Sequence, residues 1–245
     1  MQSKKILSII TVCYRAENLI EATLKSVESV KTTDVEYIIV DGGSTDGTMR
    51  LVKQYAHIVD TLRSEPDNGI YDAMNKARTL ATGEWIIFMN AGDIFASADV
   101  LDVFKPLLEK ESDVDVIYGD ILKEGKNGEL YCKKAYPPGN YHKMFFCHQA
   151  AFTRRILLEK YPFDTSCKLS ADFKFYKQVT LAGYRFLYHS HPVAVFDTHG
   201  ASNIHRTKGL AENIKIISDL DCFSEKMRLL PRIYVSYFFA RLRGK

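Results

Sequence analysis

Asp41-Gly42-Gly43 closes a short apolar run, Tyr37–Val40. A carboxylate at the end of a buried strand can accept hydrogen bonds from a nucleobase imide N–H or from ribose hydroxyls, and two glycines let a flat ligand approach the backbone. The same segment also reads as a turn and helix cap, with Ser44, Thr45 or Asp46 satisfying the first amides of the next helix. The readings are compatible, since Asp46 can cap while Asp41 binds. From Glu65 to Lys76, polar side chains crowd a turn that enters a helix, and Asp72, Asn75 and Lys76, at i, i+3 and i+4, share a face. Turn chemistry accounts for Pro66, Asn68 and Gly69, not for that stripe. Asn90-Ala91-Gly92-Asp93 ends the strongest strand signal, Trp85–Met89. A carboxylate emerging there can hold Mg²⁺ or Mn²⁺, ions that keep waters and bridge diphosphate oxygens; the plainer reading caps the next helix. Asp172 heads the helix-period segment Ala171–Leu181, where the helix dipole alone favours an acid.

These residues need a frame. Apolar runs at Ile6–Val12, Tyr37–Val40, Ile58–Leu62 and Trp85–Met89 alternate with helix-period segments at Glu17–Val30, Thr48–Ala56 and Ile70–Leu80. Near-continuous apolar strands between helices predict a Rossmann-like α/β fold, a mainly parallel sheet with helices on both faces. Ligands of such sheets bind beyond the carboxyl ends of the strands, which puts Cys13–Glu17, Asp41–Asp46, Ser64–Asp72 and Asn90–Asp93 on one rim. The second half predicts helices at Asp99–Leu108, Phe152–Lys160, Ala171–Leu181 and Ile204–Leu220. It also predicts strands at Val114–Tyr118, Tyr184–Tyr188 and Val193–Phe196, and a hairpin over Asp120–Lys134. With no linker between the halves, residues 1–224 read as one domain, 1–95 and 96–224 forming its two parts, and 225–245 as a tail.

Composition removes several classes. The 245 residues carry 33 Lys plus Arg against 30 Asp plus Glu, too balanced for a protein that coats nucleic acid. Five scattered cysteines without C-x-x-C spacing argue against a disulfide framework or structural zinc and for a reducing, cytoplasmic compartment. The apolar N-terminus lacks a small-residue cleavage site and reads as a buried first strand. No apolar stretch is long enough to span a bilayer. The G-x-G-x-x-G of dinucleotide enzymes is replaced by Cys13-Tyr14-Arg15, and the G-x-x-x-x-G-K-[ST] loop of NTPases is missing, as is the glycine-rich basic loop of sugar-nucleotide pyrophosphorylases.

Taken together, Ile9–Tyr14, Val40–Thr48, Glu65–Lys76 and Phe88–Asp93 strongly resemble the motifs of the family 2 glycosyltransferases with the GT-A fold, the type that builds bacterial cell-surface polysaccharides; the resemblance runs from about Ile6 to Ser202. It implies an inverting transferase that takes a sugar from a nucleoside diphosphate sugar, uridine by family habit. The implied acceptor is a hydroxyl of a glycan or lipid-linked glycan. By the same resemblance Thr11, Tyr14 and Glu17 contact the nucleoside, Asp41 reads the base, and Asp67, Gly69 and Asp72 lie near base and ribose. Asn90, Ala91, Gly92 and Asp93 take the place of the D-x-D element. Lys76 assists at the diphosphate. Asp172 is the catalytic base, His148 and Gln149 contact acceptor or sugar, and His199 adds a diphosphate or metal contact. Asn90 and Gly92 leave Asp93 as the motif's carboxylate, with a divalent cation as the expected cofactor and His199 as a further ligand.

A single displacement needs one catalytic carboxylate, whereas a glycoside hydrolase needs two. The alternative is a degenerate domain that binds nucleotide sugar or a partner without turnover. His142, His189, His191 and His205 read as structural, and Tyr136 and Tyr141 as candidates for stacking on an acceptor sugar. Residues 226–245 hold six basic residues, no acidic ones and an aromatic and aliphatic remainder. That composition suits an interfacial helix on the inner face of an anionic membrane, or a helix that packs on the domain or a second subunit as a homodimer.

Overall fold

The computed structural model describes residues 5–125, 127–196 and 205–242. Its centre is a sheet ordered β3-β2-β1-β4-β8-β6-β9-β5, with β7 paired to β6. Strands β1 (Leu7–Cys13), β2 (Val35–Asp41), β3 (Thr61–Ser64) and β4 (Trp85–Phe88) run parallel. Each ends at a loop the sequence marks for chemistry, so the expected rim is present.

Strand parity decides what each face buries. Leu7 and Ile9, with Val35, Tyr37 and Ile39 and with Trp85 and Ile87, turn to one side, where α1 (Ile20–Val30), α2 (Thr48–Gln54) and α4 (Val100–Lys110) cover them. Ile10 and Val12, with Ile38, Val40, Ile86 and Phe88, turn to the other, beneath α3 (Ile70–Arg78), α5 (Arg155–Lys160) and α6 (Ala171–Leu181). Helix α1 meets its face through Ile20, Leu24 and Val27, spaced i, i+4, i+7. Each such fully buried Leu or Ile contributes about 1.5–3 kcal/mol.

Beyond β4 the sheet turns mixed. Strand β8 (Ala151–Arg154) runs antiparallel between β4 and β6 (Val116–Glu124). β9 (Phe186–Phe196) runs parallel to β6, and β5 (Ile94–Phe95) antiparallel to β9. The expected hairpin forms from β6 and β7 (Leu130–Lys133). Two expectations are corrected here. Phe152–Lys160 is not one helix, because Ala151–Arg154 is drawn into the sheet and only Arg155–Lys160 coils. The two late strands are one, β9, paired with β6 across register shifts between Tyr118 and Ile121.

Helices α7 (Arg206–Leu220) and α8 (Phe223–Leu242) complete the described chain. Leu229 and Ile233 of α8 pack with Ile216 and Ile217 of α7 and Phe173 of α6. The division proposed at 224/225 thus falls inside a helix whose first half is anchored in the domain. No described helix is long and apolar enough to cross a membrane.

Candidate functional site

Backbone amides and short polar side chains lace the rim loops together. Arg15 N donates to Ser44 Oγ (2.8 Å), Ala16 N to Thr48 Oγ1 (2.8 Å) and Gly47 N to Glu17 Oε2 (2.7 Å). Asp41 is 0 % exposed, and its Oδ2 accepts from Ser44 N (2.9 Å), Gly43 N (3.2 Å) and Ser64 Oγ (2.6 Å). The carboxylate assigned to the base therefore holds the Gly42–Ser44 turn and joins β2 to β3. Above it, a Cβ on Gly42 would lie 2.4 Å from Asp67 Oδ2 and 3.2 Å from the Tyr14 ring. Glycine at 42 is what lets Asp67 and Tyr14 converge. Tyr14 is 55 % exposed and carries the Arg15 guanidinium over its ring at 5.2 Å, an aromatic surface open to a flat ligand.

The loop after β4 is gripped from α1. Thr23 Oγ1 accepts from Gly92 N (3.0 Å) and lies 2.8 Å from the carbonyl oxygen of Asp93. Gly92 takes φ +101°, a conformation that side chains other than glycine's rarely adopt. This turn aims Asp93 at the single-turn helix His148–Ala150, where Gln149 Nε2 donates to Asp93 Oδ1 at 3.2 Å. The neighbouring residue reaches the other way. His148 Nδ1 stands 3.3 Å from Asp172 Oδ2, and Tyr71 OH donates to Asp172 Oδ1 at 2.9 Å. Two consecutive residues thus tie Asp93 to Asp172, and the carboxylate at the head of α6 has both oxygens engaged. The turn before α6 is fixed in its own right: Lys168 N and Leu169 N both donate to the Glu212 carboxylate of α7 (2.9 Å each).

Electrostatics follow from burial and pairing. Burial works to raise Asp172, but His148 and the Tyr71 hydroxyl outweigh it and hold the acid below the ordinary carboxylate range. Burial works to lower His148, and Asp172 with Asp93 outweighs it, leaving the imidazole above its ordinary value. Tyr71 is pushed well above a normal phenol by burial and then by Asp172, so it stays a hydrogen donor. Burial also pushes the Cys147 thiol up to about 12, which removes it as a nucleophile.

Several expected contacts lie elsewhere. Thr11 shares the parity of Leu7 and Ile9. It points into the core, donating to the Met89 carbonyl (2.6 Å) and bonding Tyr37 OH (2.9 Å), so it is not at the nucleoside site. Glu17 is spent on Gly47. Asp72 accepts from Asn68 N (2.9 Å) and pairs with Lys76 Nζ (3.1 Å), which also donates to the Pro66 carbonyl (2.9 Å). Lys76 thereby secures the Glu65–Asp72 turn instead of reaching toward a diphosphate. Asn75 leaves the stripe to clasp the backbone of Phe163. Asp67 Oδ1 accepts from Gly69 N, closing the same turn. Ala91 N bonds the Val12 carbonyl. His199 lies outside the described residues. His189 and His191 stack edge-on against Phe104, in keeping with structural roles. Tyr71, which lies inside the Glu65–Lys76 segment, is given no role of its own by the sequence; it is buried in the core with its hydroxyl on Asp172.

Among the described residues no group of three His, Cys, Asp or Glu side chains could hold a metal ion. Asp93 is, however, accompanied by the buried Oδ1 of Asn90 and Oε1 of Gln149, neither with a hydrogen-bond partner. Carboxylate and amide oxygens are what a hard cation takes, so Asp93 with Asn90 fits Mg²⁺ or Mn²⁺ with waters completing the shell. A cavity of about 400 Å³ lined by Lys5, Asp34, Glu84 and Arg154 sits at the amino ends of the strands, away from this network.

Residues 8–162 match the model of glycosyl transferase family 2. Over 176 residues the chain is 31 % identical to a PGL/p-HBAD biosynthesis glycosyltransferase of Mycobacterium bovis, covering 69 % of this chain and 67 % of that one. The mannosyltransferase PcManGT from Pyrobaculum calidifontis, solved with GDP-Man and Mn²⁺, superposes with a TM-score of 0.67 at 20 % identity, over 87 % of this chain and 63 % of that chain. S. aureus TarS 1–349 in complex with UDP-GlcNAc gives a TM-score of 0.67 at 18 % identity, over 95 % of this chain and 71 % of that chain.

Proposed function

The chain belongs to glycosyl transferase family 2 and has the GT-A fold, and from that premise we propose that it moves a sugar from a nucleoside diphosphate sugar to a hydroxyl of a glycan or lipid-linked glycan. The transfer inverts the anomeric carbon and serves the assembly of a cell-surface polysaccharide. The observation that carries this reading is the bridge of His148 and Gln149 between Asp172 and Asp93. It supports a donor's diphosphate at one end and an acceptor hydroxyl at the other. We take uridine as the nucleoside because TarS was solved with UDP-GlcNAc; the GDP-Man of the mannosyltransferase is the competing case.

Asp172 acts as the base. Held ionised by His148 and Tyr71, it receives the acceptor's proton as the bond to the departing diphosphate weakens, a role worth roughly 10²–10⁴-fold. Its low basicity makes the transfer late, after the hydroxyl oxygen has begun to bond to carbon. Tyr14 offers its ring to the base, with Asp67 beside it. Asp93 and the Asn90 amide oxygen would hold a divalent cation, which supplies neutralisation of the charge gathering on the diphosphate.

A thermal-shift screen of UDP-, GDP- and dTDP-sugars with and without Mn²⁺ tests this reading. A UDP-sugar near a hundred times its Kd should raise Tm by roughly 5–10 °C with Mn²⁺ and by less without it. Asp93→Ala should erase the difference made by the ion. No shift with any sugar nucleotide overturns the proposal, and a shift without transfer to any acceptor favours a domain that binds donor without turnover.

A further inference from the structure

The exposed apolar side chains of the second half concentrate on α8. Its inward face, Leu229, Ile233 and Ala240, is buried. Met227, Pro231, Tyr234, Phe238 and Leu242 follow one another at spacings of four, three, four and four, which places them in one strip on the opposite side. Phe238 is 59 % exposed and Leu242 67 %, and Val235 and Phe239, also exposed, widen the strip. Nothing in the domain requires an outward apolar strip of this length, because α8 is already anchored. Lys177 of α6 pairs with Asp221 at 2.7 Å, Asn140 bonds Asp221 (2.6 Å) and Glu225 (2.9 Å), and Arg228 reaches the Asn140 carbonyl (2.7 Å).

Charge indicates what covers the strip. Arg241 lies on one flank and Arg232 on the other, both exposed, and Glu225 is the last acid of the sequence, with six basic residues after it. A second copy docked strip to strip would bring like charges together, whereas an anionic surface neutralises them. We propose that α8 lies in the plane of an anionic phospholipid membrane, its Tyr234–Phe238–Leu242 strip in the headgroup boundary and Arg232 and Arg241 on lipid phosphates. Because Phe173, next to Asp172, packs in the same cluster as Leu229 and Ile233, membrane docking and the head of α6 belong to one rigid block. The inference stands apart from the donor site and does not depend on it.

Co-sedimentation of the full chain with vesicles of phosphatidylglycerol and phosphatidylcholine, against pure phosphatidylcholine, tests it. Binding should require the anionic lipid and weaken as salt rises above roughly 0.1 M. Tyr234→Ser with Phe238→Ser, and separately Arg232→Glu with Arg241→Glu, should each lower the vesicle-bound fraction by roughly tenfold with the melting curve unchanged. The proposal is overturned by absence of binding, by equal binding to neutral vesicles, or by undiminished binding in both variants. It is equally overturned by a dimer in sedimentation velocity that Phe238→Ser dissociates.

Discussion

At Asp172, two neighbours, His148 and Tyr71, pull one equilibrium the same way, toward the ionised acid. Tyr71 donates to Oδ1 and helps hold the acid down, so Tyr71→Phe should move the acid limb of the pH–rate profile to higher pH and lower kcat several-fold. An unmoved limb would mean that Tyr71 does not set the titration of the group that limits the rate. The sign for stability is separate. A depressed Asp172 stabilises the fold above its unfolded value and loses that contribution as pH falls through the folded one. A raised His148 stabilises below its unfolded value and loses that contribution as pH rises through the folded one. The pair is therefore fully stabilising between about pH 3.9 and 6.5. Which site residues the sequence revealed depended on which way the backbone turns each side chain. Tyr14, Asp67, Asp93 and Asp172 stand in motif segments and are found together at the rim or in the network. Thr11 and Asp41 stand in motifs too, but strand parity and loop closure turn them inward, and a one-dimensional pattern does not carry that.

Among the elements, the grip of α1 on the Asn90–Asp93 turn depends on one hydroxyl. Thr23→Val keeps the shape and strands the Gly92 amide, which costs roughly 1–3 kcal/mol. Tm should fall by roughly 2–12 °C, at 2–4 °C per kcal/mol for a chain of this size. Donor affinity should fall with it, measured by calorimetry; an unchanged affinity would mean that the turn does not position Asp93. Helix α6 was legible to its ends, Ala171 to Leu181, because acid, periodicity and the following Gly183 agree. Strand β8 was not: four residues are too few to display a period, and they run without a break into the helix Arg155–Lys160. Only its place between β4 and β6 decides.

In the whole molecule, a buried ion pair fastens the junction before the C-terminal helix to α6, the helix that bears Asp172. Lys177 and Asp221 have side chains 2 % and 0 % exposed. Removing one partner strands a buried charge, so Asp221→Leu should cost about 3–5 kcal/mol, and adding Lys177→Met should recover part of it. If the double variant melts no higher than the single one, the pair is not the anchor. The proposed transfer site is likewise an assembly, drawing Asp93 from the loop after β4, His148 and Gln149 from the short helix before β8, and Asp172 from α6. It is tested most directly by measuring donor binding and sugar transfer together in Asp172→Asn. Binding within about twofold of the wild type with transfer reduced by more than roughly a hundredfold is the predicted result; transfer at near wild-type rate would contradict it.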